Sequence, residues 1–256
     1  MIGSVGVLIL GGTGEARALA RSLVDAGITV TSSLAGRVAD PALPVGEVRI
    51  GGFGGPAGLA RYLNEHGIGA VVDATHPFAR NISASAVAAT DETGVPLIRL
   101  ERPGWADHPL ASTWHWDDSN DAAAARLTEL TSGPVFLTTG RSSVTDFAVL
   151  AGRPVLVRLV DPPGTPLPGA WQLLLARGPY TVKGERDLMA QHRIAALATK
   201  DSGGSMTEAK LLAADSLGVP IVVIRRPAPA VGHDGPADTV RTVADAAAWV
   251  SRHVPR

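Results

Sequence analysis

A chain of 256 residues with 45% hydrophobic content is long enough to bury either one large core or two smaller ones. Its formal net charge of -1 gives no global pull toward nucleic acid or a membrane surface, so neither is expected as a partner, and an anionic ligand must be met by local basic clusters. With no cysteine, disulfides, thiolate chemistry and cysteine metal sites are excluded.

The opening "MIGSVGVLIL" is apolar but carries no basic leader or cleavage pattern, and Gly11-Gly12 stops it short of membrane-spanning length. It reads as a first strand, and the cytoplasm is the expected location. "GGTGEAR" follows at a strand-to-helix turn, where Gly11, Gly12, Thr13, Gly14 and Glu15 offer a phosphate close backbone approach and the amides of a helix start. Read as Gly-x-Gly-x-x-Gly from Gly12, the last position is Arg17, which alters the close helix packing of that fingerprint. The next strand, "ITVTSSLAGR", ends where many dinucleotide sites carry an acid for the ribose 2'-hydroxyl. Here stand Ser32, Ser33 and Arg37, with no carboxylate before Asp40. Hydroxyls and a guanidinium suit a 2'-phosphate, so the expected cofactor is NADPH/NADP rather than NADH.

"AGLARYLNEHG", "GAVVDAT", "NISASAVAATDETG" and "VPLIRLE" continue the alternation of helical and strand periods. Between them "DATHPFA" ends a strand, with Pro77 suited to the first turn of a helix. The periodicity then breaks in a Pro-, Gly-, Asp- and Trp-rich stretch, read as a linker over 106–120 between a domain 1–105 and a domain 121–256. "PVFLTTG", "RPVLVRLV", "KGERDLMAQH", "IAALATK", "MTEAKLLAADSLG", "VPIVVIRRP" and "VADAAAWVSRHV" repeat the recipe. "GVPLIRLERP" from Gly94 and "GVPIVVIRRP" from Gly218 share an offset of 124, which also lays Thr75 on Thr199 without a gap. The expected fold class is α/β: two doubly wound parallel-sheet domains of similar plan, with ligands at the carboxyl ends of the strands. One continuous sheet with coincidental similarity between its turns is the alternative.

In "GGTGEAR", "DATHPFA", "RGPY" and "TKDSGG...T.AKLLAA..LGVP...IRRP" the chain resembles the precorrin-6A reductases of cobalamin biosynthesis, in order from about residue 7 to residue 227. The resemblance implies an oxidoreductase that uses a reduced nicotinamide nucleotide to reduce one ring double bond of the tetrapyrrole precorrin-6A, or of its cobalt complex with NADH as the alternative donor, giving the 6B form. It also implies two Rossmann-like domains with an interdomain cleft. One departure is Asp201, where a neutral amide is expected; facing an anion, it would be out of place.

Hydride reduction needs a donor against one carbon and a proton for its neighbour, and a polyanionic macrocycle needs basic side chains among apolar walls. The nucleotide-side candidates are Thr75, His76 and Phe78. His76 either donates a proton, binds a carboxylate, or ties a loop to backbone. On the substrate side stand Arg80, Arg141, Ser142, Lys200, Ser202, Gly203, Gly204 and Thr207. Asp146 is either a surface acid complementing a helix start or a second acid candidate. The histidines show no metal-ligand spacing, and no catalytic metal is expected. Trp105, Trp114 and Trp116 read as packing groups. A short-chain-type reductase is disfavoured because neither Tyr62 nor Tyr180 begins Tyr-x-x-x-Lys. A regulatory protein that binds NADP(H) without hydride transfer is the remaining alternative.

Overall fold

Strand β1 (Gly6–Leu10) is buried along its whole length, as a strand covered by helices on both faces must be. The computed structural model describes residues 5–36, 42–204, 207–233 and 235–254. In chain order β1 is followed by α1 (Gly14–Asp25), β2 (Val30–Leu34), β3 (Glu47–Ile50), α2 (Pro56–Glu65), β4 (Ile68–Asp73), α3 (Arg80–Thr93) and β5 (Leu97–Leu100). Next come β6 (His115–Asp117), α4 (Asn120–Leu130), β7 (Val135–Thr138), a 3-10 segment Arg141–Leu150, β8 (Val155–Leu159), β9 (Trp171–Leu175), α5 (Val182–Gln191), β10 (Ala196–Lys200), α6 (Ala209–Ser216) and β11 (Ile221–Ile224). The chain closes with β12 (Val231–Gly232), β13 (Gly235–Pro236), β14 (Thr239–Val240) and α7 (Val243–His253).

Two six-stranded sheets result, ordered β14-β5-β4-β1-β2-β3 and β6-β11-β10-β7-β8-β9, and every pairing within them is parallel. β12 and β13 form a separate antiparallel pair. In each sheet the strand order reverses once, between β1 and β4 and between β7 and β10, which are the switch points where the loops splay apart. The 124-residue offset holds at the strands: Leu97 opens β5 and Ile221 opens β11, each beside the strand, β4 or β10, that borders its sheet's switch point. The glycines that stop α3 and α6, Gly94 and Gly218, both take the left-handed conformation, with φ of 71° and 66°.

The division into units differs from the expected domains. The first unit comprises 1–103 and 227–256, the second 104–226. β14 pairs with β5, and α7 packs Ala246, Trp249 and Val250 into the core formed by β1, β4 and α1, so the carboxyl-terminal segment returns to the first unit. Burial of Trp249, Val250 and Val254 contributes on the order of 5 kcal/mol there, which periodicity along the chain cannot foretell. Nor is 106–120 a linker. Trp105 and Trp114 are core residues of the second unit, and β6 is an edge strand of its sheet. Pro77 also departs from expectation. It lies in a turn closed by Ala79 N–H donating to the His76 carbonyl at 2.7 Å, and α3 begins only at Arg80. A residue preceding proline is driven out of the helical region, which delays the helix.

Candidate functional site

In the first unit the loops after β1 and β4 flank the switch point and are fastened to each other. Thr13 caps α1, its Oγ1 accepting from Ala16 N–H at 3.1 Å and donating to the Ala74 carbonyl at 2.7 Å. Gly12 holds φ at 112°, a conformation open to glycine, and the N–H groups of Gly14 and Glu15 in the first turn have no partner within the helix. Below the second loop Asp73 is buried. Its Oδ1 accepts from the Thr75 N–H at 3.1 Å and hydroxyl at 2.6 Å, while its Oδ2 pairs with Arg99 Nη1 at 2.7 Å. Arg99 also pairs with Glu101 at 2.6 Å and donates to Ser83 at 2.9 Å. The Thr75 hydroxyl therefore serves the loop. His76 Nδ1 accepts from Phe78 N–H at 3.3 Å, which in the neutral ring places the proton on Nε2. Both rings are half-buried, with centroids 5.8 Å apart.

Beside this turn lies a cavity open to solvent whose described lining residues are Gly11, Gly12, Ala16, Arg17, Ser32, Leu34, Ala42 and Pro44. Ser32 is 2% exposed and its Oγ has no hydrogen-bond partner among the described residues, a costly arrangement unless a ligand supplies one. Ser33 is also buried, but strand alternation turns it to the opposite face, and it does not line the cavity. Arg37 lies outside the described residues, as does Asp40. Glu15 points its carboxylate at Arg102 at 2.8 Å, so what it offers the turn is its backbone N–H. Arg17, read from the sequence only as a misplaced third glycine, is among the cavity-lining residues. The signal was its charge at that position.

The second unit repeats the geometry with other groups. The Thr138 hydroxyl donates to the Ala198 carbonyl at 3.0 Å across the switch point. Asp146, on the 3-10 segment after β7, is exposed; Lys200 ends β10, half-buried, and the two attract each other. Burial pulls the Lys200 ammonium below its ordinary range and the Asp146 carboxylate partly restores it. Asn120, at the start of α4, donates through Nδ2 to Asp146 Oδ2 at 2.7 Å. Placed at the edge of a supposed linker, it escaped the sequence reading, and only the folded α4 brings it to Asp146. Thr139, 3% exposed, and Thr207 present buried Oγ1 atoms without partners among the described residues, one in each loop. Gly203 and Gly204 turn the second loop with φ of 65° and 76°, and Ser202 N–H bonds back to the Lys200 carbonyl at 2.7 Å. Arg141 and Ser142 are exposed at the start of the 3-10 segment, and Arg80, in the first unit, is exposed at the start of α3.

Asp201 is turned into the protein. It is 6% exposed, accepts from Trp105 N–H at 2.8 Å and pairs with Arg226 at 3.5 Å. The departure noted in the sequence is thus a structural acid, tying the loop after β10 to the first residues of the unit. Of the paired arginines, Arg226 is held inward by Asp201 and only Arg225 is half-exposed, beside Asp118 at 3.3 Å.

Comparison with known proteins bears on both loop pairs. A family model described as Precorrin-6x reductase CbiJ/CobK matches residues 6–251. The precorrin-6A reductase of Rhodococcus erythropolis is 51% identical over 248 residues, covering 95% of this chain and 96% of that one. That of Mycobacterium tuberculosis (strain ATCC 25618 / H37Rv) is 48% identical over 246 residues, covering 96% and 97%. A cobalt-precorrin-6A reductase of Priestia megaterium is 33% identical over 239 residues, covering 86% of this chain and 90% of its own. The solved structure of CobK precorrin-6A reductase superposes with a TM-score of 0.85 at 41% identity, covering 97% of each chain.

Proposed function

The chain belongs to the precorrin-6x reductase family and is an oxidoreductase that reduces precorrin-6A in cobalamin biosynthesis; from that premise we propose that its hydride donor is NADPH, held at the β1–β4 switch point of the first unit. The observation that carries this reading is the buried, unpartnered Ser32 hydroxyl in a cavity beside the glycine turn, with no carboxylate among its described lining residues. The residues present fit the nucleotide: Gly11 and Gly12 allow close approach, and the first amides of α1 with its dipole suit a diphosphate. Thr13 acts through the loops, holding the β1 exit against the β4 exit, and the Asp73–Thr75 bonds fix the backbone that carries His76 and Phe78. When bound, the nicotinamide supplies the hydride.

The second unit's loops then serve the tetrapyrrole. Lys200, Ser202, Gly203, Gly204 and Thr207, with Arg141 and Ser142 on the neighbouring loop, offer an ammonium, hydroxyls and turn amides to carboxylate arms. Arg80, exposed on the first unit, is a further candidate grip on such an arm. Asp146, oriented by Asn120, and His76 are the two candidate proton donors. The metal-free substrate is favoured over the cobalt complex because identity to the precorrin-6A reductases, 51% and 48%, exceeds the 33% to the cobalt-precorrin-6A reductase. No described helix is long and apolar enough to cross a membrane.

Following nucleotide absorbance with precorrin-6A and either NADPH or NADH tests the reading. Oxidation of NADPH at well over tenfold higher kcat/KM than NADH is expected. An equal or greater rate with NADH would refute the cofactor assignment.

A further inference from the structure

Arg17 stands on α1, four positions beyond its cap, with its charge set against the positive end of the helix dipole. It forms no side-chain hydrogen bond or ion pair with a described residue, and it lines the same cavity as Ser32, whose Oγ is equally without a partner. A guanidinium and a buried hydroxyl, both unanswered by described residues, share one cavity at the end of β2, and none of its described lining residues is a carboxylate. Each is costly alone: the cation opposes the dipole, and the hydroxyl has lost water without replacement. A doubly negative phosphate would satisfy both, accepting a forked pair of N–H groups from the guanidinium and a third bond from the serine.

We propose that Arg17, with Ser32, is the residue that reads the 2'-phosphate of the nucleotide and so sets the preference for NADPH over NADH. The proposal rests on the reading that the glycine turn of the first unit holds the nucleotide. It goes further by assigning discrimination to the position where a dinucleotide turn would carry its third glycine. Arginine there exchanges close helix packing for a charge aimed at the ribose. Among the described lining residues Arg17 carries the one cationic side chain.

The test compares 2',5'-ADP with 5'-AMP as fragments that differ only in the 2'-phosphate, titrated calorimetrically into the intact chain and into Arg17→Gln and Arg17→Lys. Glutamine keeps helix propensity, and Arg17 has no partner to lose, so the thermal midpoint should hold. Wild type should bind 2',5'-ADP more tightly than 5'-AMP. Arg17→Gln should weaken 2',5'-ADP roughly 10- to 100-fold with little change for 5'-AMP, and Arg17→Lys should recover part of the loss. In turnover the same variant should raise the KM for NADPH and leave its kcat and the KM for NADH unchanged. If wild type discriminates and Arg17→Gln discriminates equally, the proposal is overturned while the NADPH reading stands. Equal weakening of both fragments also overturns it, by assigning Arg17 to the diphosphate. If wild type binds the two fragments alike, the NADPH reading itself fails and the proposal with it.

Discussion

Replacing Lys210 by methionine is expected to stabilise the second unit, and most strongly at low pH. Lys210 lies in the first turn of α6, 4% exposed, with its ammonium 5.3 Å from the centroid of the Trp105 ring. The carboxylate that attracts it, Glu185, is committed elsewhere, accepting from Arg158 Nη1 at 2.5 Å and Nη2 at 3.0 Å in a buried fork. Burial first, and then repulsion from Arg158, outweigh the attraction of Glu185 and bring the Lys210 ammonium from its ordinary 10.5 down to about 7. An unfolded lysine keeps its proton to about pH 10.5 while the folded one releases it near 7, so the unfolded state binds more protons throughout that window. Stability due to this group therefore rises with pH, by up to about 1.4 kcal/mol per unit. Below the window both states are protonated and the full penalty, on the order of 4–5 kcal/mol, burdens the folded chain. Methionine keeps the unbranched stem without the charge. Urea titrations from about pH 6 to about pH 9, read by tryptophan fluorescence, suit the question, because Trp105, Trp114, Trp116 and Trp171 of the five tryptophans lie in the second unit. Lys210→Met should gain several kcal/mol at the acid end, and the gain should shrink steadily above neutrality. Parallel pH dependence in the two proteins would refute the reasoning.

Asp73→Asn removes one partner of a buried pair, a change that costs about 3–5 kcal/mol; since Arg99 keeps Glu101 at 2.6 Å, the lower end is expected as a fall in the first unit's calorimetric midpoint, and an unmoved midpoint counts against it. Asp201→Ala should destabilise the second unit by roughly 2–4 kcal/mol by orphaning Trp105 N–H and taking the carboxylate from Arg226, whose Nε keeps its bond to the residue-201 carbonyl, with Asp201→Asn milder because it still accepts from the amide. Nucleotide affinity should be unaffected in both Asp201 variants, and a large change would return that acid to a ligand role. Of Asp146→Asn and His76→Asn, the variant lacking the proton donor should lose about 100-fold or more in turnover while still binding NADPH. Full turnover in both would assign the proton to water or to the substrate.

The alternation of strands and helices was legible because both sheets are parallel and covered, so their strands read as unbroken apolar runs such as "VGVLIL" and "IVVI". What the chain hid was the return of residues 227–256 to the first unit. α7 declares an apolar face but not which core it covers, and the two-residue β14 is too short to carry a period. The glycine turn and Ser32 could be placed from spacing alone. Asn120 could not, since its contact with Asp146 spans 26 residues and depends on how α4 packs. Asp201 is a different case: its charge looked out of place in a loop expected to face an anion, and the fold resolves this by turning it onto Trp105 and Arg226, both distant in sequence.

Comparing the two units at the 124-residue offset separates framework from chemistry. Ala74 and Ala198 correspond, and in each unit that carbonyl receives a threonine hydroxyl from the neighbouring side of the switch point, Thr13 at 2.7 Å and Thr138 at 3.0 Å. Two positions on, His76 stands opposite Lys200, so each loop carries a titratable group at the same place. The buried charges do not correspond, for Asp73 and Arg99 fall on Leu197 and Val223. A shared carbonyl staple with unshared ion pairs means that loop separation belongs to the common plan, whereas the polar lining is particular to each unit. The Asp73–Arg99 pair should then matter to the first unit's loop alone. Loss of the staple in either unit, by Thr13→Val or Thr138→Val, should loosen the corresponding loop and weaken whatever ligand that unit holds, leaving the other unit's binding intact.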